Sequence, residues 1–182
     1  MKDLESIAGL VILAGLAWAK SQDLQEVHPV ITDPDYPPVY ERLELLDGLT
    51  VEMQQAVYSW LQETPELLAR WSVETGQTYS LMFTAGARSQ AEQQALYAQG
   101  RTAPGGIVTH RDGITRRSRH QDGQALDFVL RVDGTSVWED EARYLALGEL
   151  AERHGLTWGG RWSSPHDPYH LELPDLGEDL WS

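Results

Sequence analysis

Residues 118–128 constrain this chain more than any other stretch of its sequence. The segment reads Ser-Arg-His-Gln-Asp-Gly-Gln-Ala-Leu-Asp-Phe, so an imidazole at His120 precedes a carboxylate at Asp127 by seven positions. Apolar and polar side chains then alternate, which predicts a strand over residues 125–132. Gly123 permits the positive φ or the close backbone approach that a turn needs. The pattern therefore predicts a loop at His120 that leads into a strand carrying Asp127.

A histidine and an aspartate in this arrangement offer the ligand types that suit zinc when no thiolate is at hand. The chain contains no cysteine, which excludes disulfides and thiolate metal sites, so a metal site here has to be built from histidine and carboxylate. Two ligands alone fit a polar loop ahead of an edge strand equally well. The metal-site interpretation therefore requires a third ligand.

The C-terminal part of the chain offers that ligand within residues 158–172. An Asp-Pro-Tyr-His run at 167–170 follows a turn rich in glycine and tryptophan. An acid three residues before a histidine can place one group on a metal and the other beside the water that attacks a substrate. Three protein ligands with an open fourth position are typical of catalytic zinc sites. His166 competes with His170 for the role of third ligand.

Together the two stretches resemble the zinc peptidases of the D-alanyl-D-alanine carboxypeptidase and L-alanyl-D-glutamate endopeptidase family. That family carries a Ser-x-His-x-x-Gly-x-Ala-x-Asp motif, matched here by Ser118, His120, Gly123, Ala125 and Asp127. It also carries an acid-x-x-His motif near the C-terminus, matched by Asp167 and His170. The resemblance covers residues 46–173, and its spacing favours His170 over His166 as the ligand.

An upstream motif of the family, of the Gly-Tyr-Arg-Ser type, reads Gly-Ala-Arg-Ser at residues 86–89. Ala87 stands where an aromatic residue is usual, a departure that affects the shape of the substrate pocket. The following residues 93–105 resemble the phage endolysin and bacterial endopeptidase branch. The resemblance implies that Arg88 and Ser118 orient the substrate peptide, with the arginine pairing to a carboxylate.

For the centre itself, the resemblance implies a Zn²⁺ ion held by His120, Asp127 and His170. Asp167 would be the catalytic residue that takes a proton from the attacking water and delivers it to the leaving amine. The implied function is a zinc-dependent peptidoglycan peptidase of the L-alanyl-D-glutamate endopeptidase type, from a phage or prophage lysis system. The alternatives are a D,D-carboxypeptidase and a catalytically silent zinc-binding virion or structural module of the same fold.

The implied fold class is α+β, a small and mainly antiparallel sheet with helices packed on one side, as in Hedgehog and the D,D-peptidases. Residue periodicity and capping signals predict the individual elements. Thr50 caps a helix that ends near residue 62, and a second helix begins at Pro65, since proline is favoured at the first helical position. Ser89 and Glu92 form a capping box for the next helix. The other predicted elements are strands at 78–84, 156–158 and 171–173 and a helix at 139–155.

The chain divides into four predicted segments. Residues 1–20 form an apolar segment like a signal or anchor, residues 21–44 a proline-rich linker, residues 45–173 the zinc peptidase domain, and residues 174–182 an acidic tail.

The apolar run at residues 7–19 is shorter than the 17–25 residues of a transmembrane helix and suits the core of a signal peptide. Asp3 and Glu5 ahead of it are atypical of a signal peptide, whose first residues are positive. The run resembles the signal-anchor-release element of some phage endolysins, which predicts an extracytoplasmic location in the periplasm or cell wall. The alternatives are contact with a membrane or a partner, including a location in the phage virion, and an ordinary core helix.

The net charge of the chain limits the kinds of partner that it can bind. The formal charge of -14 argues against nucleic acid as a partner, because phosphate binding needs a basic face. The loop at residues 102–117, called the basic loop below, is a local exception with four basic residues between His110 and Arg117. We expect this loop either to meet the acidic stem peptide of peptidoglycan or to be a plain solvated loop. His110 could reach the pocket from it.

Overall fold

A computed structural model of the chain describes residues 39–175. The predictions for residues 1–20, for most of the linker and for the end of the acidic tail lie outside the described residues and stay predictions.

Three α-helices and six strands make up the described part, joined by three short 3-10 helices. In chain order they are β1 (Tyr40–Glu41), a 3-10 helix (Leu43–Leu46), α1 (Val51–Thr75), β2 (Tyr79–Ala85), α2 (Gln90–Ala98), a 3-10 helix (Arg119–Asp122), β3 (Ala125–Val132), β4 (Thr135–Val137), α3 (Glu141–Arg153), β5 (Thr157–Trp158), a 3-10 helix (Gly159–Arg161) and β6 (His170–Glu172). No helix among these residues is both long and apolar enough to cross a lipid bilayer.

The strands form one sheet in the order β1-β2-β3-β6-β5, with β4 paired to the end of β3. Only β1 and β2 run parallel, and the other pairs are antiparallel. The α+β prediction with a mainly antiparallel sheet is therefore confirmed. β3 is the central strand, since β2 lies along one side while β6 and β4 share the other.

Aromatic side chains join the helices to one face of the sheet. The ring of Trp60 on α1 meets Phe128 on β3 edge to face, with centroids 5.3 Å apart. Tyr144 on α3 packs against the same phenylalanine at 5.8 Å. The Trp60 indole also donates a hydrogen bond to the Leu147 carbonyl on α3, at 3.2 Å. The two helices and the sheet thus enclose one core, and Asp127, the neighbour of Phe128 in the strand, points to the opposite face of the sheet.

The structure has one continuous helix over Val51–Thr75, so the predicted break at Pro65 is wrong. A proline inside a helix leaves the carbonyl four residues earlier, here that of Leu61, without its N–H partner. The Tyr40 hydroxyl, from β1, donates a hydrogen bond to this carbonyl at 2.7 Å. The helix continues because a side chain from another element replaces the missing donor.

Several local predictions are confirmed. The strand over Ala125–Val132 has the predicted bounds, and α2 begins with the predicted capping box of Ser89 and Glu92. Gly123 has a φ of 66°, and its carbonyl accepts a hydrogen bond from the Thr50 N–H at 2.9 Å. The turn before β3 is thereby fixed to the start of α1.

The last residues of the stretch predicted as a linker form regular elements. Tyr40–Glu41 pairs with β2, and Leu43–Leu46 forms a 3-10 helix. Arg131 on β3 forms an ion pair with Glu41 on β1. Residues 40–41 and 43–44 of the stretch predicted as a linker are therefore part of a strand of the sheet and of the 3-10 helix that follows it.

Candidate metal centre

Three side chains converge at the N-terminal end of β3. His120 lies in the 3-10 helix Arg119–Asp122 that precedes this strand, and Asp127 is its third residue. His170 opens β6 and lies directly opposite Asp127 in the antiparallel register. A turn and a strand pairing are therefore sufficient to bring together residues that are up to fifty positions apart in the chain.

These residues, called the His/Asp/His group below, are close enough to share an ion. Their potential ligand atoms all lie within 4.8 Å of one another. Asp127 Oδ1 is 3.2 Å from His120 Nε2 and 2.8 Å from His170 Nδ1. Both histidines are buried, and Asp127 is partly exposed. The group therefore presents one nitrogen of each ring and one carboxylate oxygen to a common point.

The other nitrogen of each ring is also bound, which fixes the orientation of both histidines. His120 Nδ1 lies 2.8 Å from the Gly86 carbonyl, to which it can only donate. His170 Nε2 lies 3.1 Å from a carboxylate oxygen of Glu172. Metal-binding histidines are typically held in this way, with the second nitrogen on a carbonyl or a carboxylate. Two histidines and an aspartate so oriented fit a zinc ion with three protein ligands.

Burial, hydrogen bonds and neighbouring charges together set the charge states of the group. Burial on its own would raise the pKa of Asp127, but hydrogen bonds with His120 and His170 hold this pKa well below its usual range. Burial likewise disfavours a charged His170, yet hydrogen bonds with Asp127 and Glu172 raise its pKa to about 9. The carboxylate is therefore in the ionised form that a metal ligand needs.

Asp167 lies beside the group on the segment that leads into β6. Its backbone N–H donates to the Gly159 carbonyl at 3.1 Å, and its own carbonyl accepts from the His170 N–H at 3.3 Å. Burial, and then the negative charge of Asp127, raise the pKa of Asp167. A half-buried carboxyl with a raised pKa next to a ligand group has the properties of a proton carrier.

His166 is exposed and is not part of the His/Asp/His group. Of the two histidines that competed for the third position, the structure brings His170 to the centre. His110, in the basic loop, is likewise exposed.

Arg88 and Ser118 lie next to the group. The Arg88 backbone N–H donates to the His120 carbonyl at 2.9 Å, and its guanidinium Nη2 is 4.0 Å from Asp127 Oδ2. Ser118 is the residue before the 3-10 helix that carries His120, and its N–H donates to the Gln121 side chain at 2.9 Å. Arg88 is therefore next to the carboxylate of the group in space, and Ser118 is two positions before His120 in the chain.

Two neighbours of the group were missed by the sequence reasoning. The ring of Trp162 lies 5.2 Å from that of His170, and Gln93 on α2 binds Arg88. Trp162 stands in the glycine- and tryptophan-rich turn, whose composition predicts a turn but not a contact with a histidine. A glutamine in a polar helix carries no sequence signal of burial, so Gln93 could not be found from periodicity.

Comparison with known proteins bears directly on this centre. Residues 112–173 match the protein family described as D-alanyl-D-alanine carboxypeptidase. This segment contains the whole His/Asp/His group and Asp167. This part of the chain is similar to that peptidase family. The resemblance inferred from the two motifs is thereby confirmed.

A curated relative and two solved structures extend the comparison. The chain is 39% identical over 102 residues to the peptidoglycan L-alanyl-D-glutamate endopeptidase CwlK of Bacillus subtilis (strain 168), a match that covers 51% of this chain and 60% of the relative. The chain thus spans about 60% of that relative's length, which is less than two thirds. The crystal structure of the Serratia marcescens L-Ala D-Glu endopeptidase ChiX superposes with a TM-score of 0.51 at 22% identity, covering 79% of this chain and 95% of that one. This likeness supports the fold.

A weaker likeness is to a vancomycin resistance D,D-pentapeptidase, VanY, solved in complex with Zn(II). Its TM-score is 0.41 at 16% identity, covering 69% of this chain and 72% of that one.

Proposed function

We propose that the protein is a zinc-dependent peptidase that cleaves the stem peptide of peptidoglycan, of the L-alanyl-D-glutamate endopeptidase type. The observation that carries the proposal is the His/Asp/His group with Asp167 beside it. The relative CwlK is a peptidoglycan L-alanyl-D-glutamate endopeptidase, which supports the choice of substrate and bond. Residues 93–105 resemble the phage endolysin and bacterial endopeptidase branch, and a role in phage or prophage lysis is part of the proposal on that basis.

His120 Nε2, Asp127 Oδ1 and His170 Nδ1 are the atoms that would hold the zinc ion. A zinc ion bound there supplies a Lewis acid that polarises the scissile carbonyl and lowers the pKa of water toward about 7. Gly86 and Glu172 keep the two rings in place through their second nitrogens. The chain's own contribution to this centre is therefore a rigid arrangement of three donor atoms.

Asp167 transfers a proton from the attacking water to the leaving amine. It accepts one proton from the water as the oxygen attacks the peptide carbonyl, and it delivers that proton to the amine as the C–N bond breaks. Its raised pKa helps the second of these steps, because a carboxyl that holds a proton more strongly is a better match to a general acid near neutral pH. A catalytically silent zinc module has no need of an acid at this position.

Arg88 and Ser118 orient the substrate in this proposal. The Arg88 guanidinium lies beside the centre and can pair with a carboxylate of the stem peptide in a two-point contact. Arg111 and Arg116 of the basic loop are both exposed. They extend the positive charge outward from Arg88, which suits an acidic peptide.

Digestion of purified peptidoglycan, followed by mass identification of the new termini, tests the proposal. An endopeptidase of this type leaves a new C-terminal L-alanine and a new N-terminal D-glutamate. Release of D-alanine alone would instead support the D,D-carboxypeptidase suggested by the description of the family. No release of peptide fragments by zinc-loaded protein from any wall type would contradict both.

The Asp167→Asn variant tests whether Asp167 is a proton carrier or a zinc ligand. The amide keeps the size of the side chain but removes the base, so we expect zinc content to stay near that of the wild type and hydrolysis to fall about 10²–10⁴-fold. His120→Ala and His170→Ala should lose the zinc and the activity together. Loss of zinc from Asp167→Asn would make Asp167 a ligand, and intact hydrolysis would mean that another group is the base.

A further inference from the structure

Gln93 is a buried amide in α2, a helix whose other residues are exposed or half-buried. The Gln93 side chain and backbone are 0% exposed, whereas the neighbouring Gln94 is exposed. A buried amide has to have its donors and acceptor satisfied, since an unsatisfied polar group in the interior is costly. The contacts of Gln93 therefore show what holds it there.

Its two ends bind different parts of the molecule. The side-chain oxygen accepts a hydrogen bond from Arg88 Nη1 at 2.8 Å. The side-chain nitrogen donates to the Arg111 carbonyl at 2.8 Å and to the Thr109 hydroxyl at 3.3 Å. Gly113 closes over it, since a Cβ at that position would lie 3.0 Å from Gln93 Cγ. Gln93 thus joins Arg88 to the basic loop.

The position of Arg88 relative to Asp127 gives this contact its significance. Nη2 is 4.0 Å from Asp127 Oδ2, which is too long for a hydrogen bond. Asp127 Oδ1 meanwhile faces both histidines. A guanidinium that lost its hold on Gln93 would need to move only about 1 Å to form a direct, two-point ion pair with that carboxylate.

We propose that Gln93 is a positioning residue, which keeps the Arg88 guanidinium from pairing directly with Asp127. The carboxylate then stays available to a metal ion, and the guanidinium stays available to a carboxylate of the substrate. The first consequence concerns metal binding alone. The second consequence rests on the proposed function.

Zinc affinity of the full chain, measured by competition with a chromophoric chelator, tests the first consequence. Gln93→Met keeps the length of the side chain but removes both hydrogen-bonding ends. We expect it to weaken zinc binding about 10–100-fold, the range typical when a partner of a metal ligand is disturbed. The matched control is Gln94→Met, which makes the same chemical change on the exposed side of α2 and should leave zinc affinity unchanged.

A second substitution separates positioning from a merely structural role. If the released guanidinium competes for Asp127, then Arg88→Met in the Gln93→Met background should restore zinc affinity to near the wild-type value. If Gln93 had only a packing role, the double variant would bind zinc as weakly as Gln93→Met or more weakly. That outcome, or an unchanged affinity in Gln93→Met itself, would overturn the proposal.

Gln93→Glu provides the measurement if Gln93→Met does not fold. A glutamate still offers an oxygen to Arg88 but no donor to the Arg111 carbonyl, so it keeps the contact that the proposal needs and loses the one to the basic loop. We expect its zinc affinity to remain within about threefold of the wild type. A loss as large as 10–100-fold would assign the effect to the basic loop and contradict the proposal.

The second consequence is tested at saturating zinc with paired peptides that carry either a free carboxylate or a carboxamide on the residue after the scissile bond. The wild type should prefer the carboxylate, and Gln93→Met should lose most of that preference through KM. An equal preference in the variant would remove the substrate half of the proposal. If the wild type cleaves neither peptide, the proposed function fails, while the zinc measurements still decide the role of Gln93.

Discussion

The two nitrogens of each histidine ring have different tasks at this centre, and the second nitrogen sets the geometry of the first. His170 shows this most clearly, because its Nδ1 faces Asp127 while its Nε2 faces Glu172. Glu172 is two positions further along β6, and residues two apart in a strand point to the same face. Its carboxylate therefore lies on the far side of the ring from Asp127, where it orients His170 and is badly placed to activate a water.

Glu172→Ala should consequently weaken zinc binding while leaving the catalytic groups intact. Without the carboxylate the imidazole can rotate, and we expect a loss of zinc affinity of about 10–100-fold. Hydrolysis should return to near the wild-type rate when zinc is added to saturation. Chelator competition and a zinc titration of activity measure the two effects. A rate that stays low at saturating zinc would instead make Glu172 part of the catalytic machinery.

Most of this centre could be predicted at the level of residues, because its motifs are local. His120 and Asp127 lie within one turn and strand, and Asp167 lies three positions from His170. Gln93 differs because its partners are up to 18 positions away along an irregular loop. No periodic pattern encodes such a contact, so only the folded chain identifies it.

Among the elements, α1 depends on a contact from outside the helix. Pro65 removes one backbone donor, and the Tyr40 hydroxyl supplies another to the Leu61 carbonyl. The sequence predicted a helix break at Pro65 because proline alone argues for one. The compensating hydroxyl comes from β1, 21 positions before Leu61, in a stretch whose prolines suggested a linker. Local rules could not connect the two.

Tyr40→Phe should therefore destabilise the protein by about 1–3 kcal/mol, because it leaves the Leu61 carbonyl without a donor. Pro65→Ala restores the backbone N–H, so the same Tyr40→Phe change should cost much less in a Pro65→Ala background. Urea unfolding of the four proteins measures both values. The matched control is Tyr97→Phe, for which the structure of residues 39–175 gives the hydroxyl no hydrogen bond, and which should stay within about 0.5 kcal/mol of the wild type. An equal cost of Tyr40→Phe in both backgrounds would mean that its hydroxyl does not replace the proline's missing donor.

At the scale of the whole molecule, charge is distributed unevenly. The chain carries a formal charge of -14, yet the basic loop contains three arginines and one aspartate. Arg117 of this loop pairs with Asp122, and Asp112 binds backbone N–H groups of the loop itself. Arg111 and Arg116 are exposed. On a chain with this negative charge, Arg111 and Arg116 provide local positive charge that an anionic substrate can meet.

The double variant Arg111→Glu, Arg116→Glu tests whether this local charge guides the substrate. Reversing both charges should lower kcat/KM on the acidic stem peptide about tenfold or more at low salt, since steering of this kind contributes 10–10³-fold to association. The loss should shrink as salt is raised from 0.01 M to 0.1 M, because the screening length falls from about 30 Å to about 10 Å. Arg70→Glu, Arg153→Glu is the matched control, with the same net charge placed on the exposed surfaces of α1 and α3. If both double variants lose activity equally, net charge alone acts on the substrate, and the basic loop has no part in its recognition.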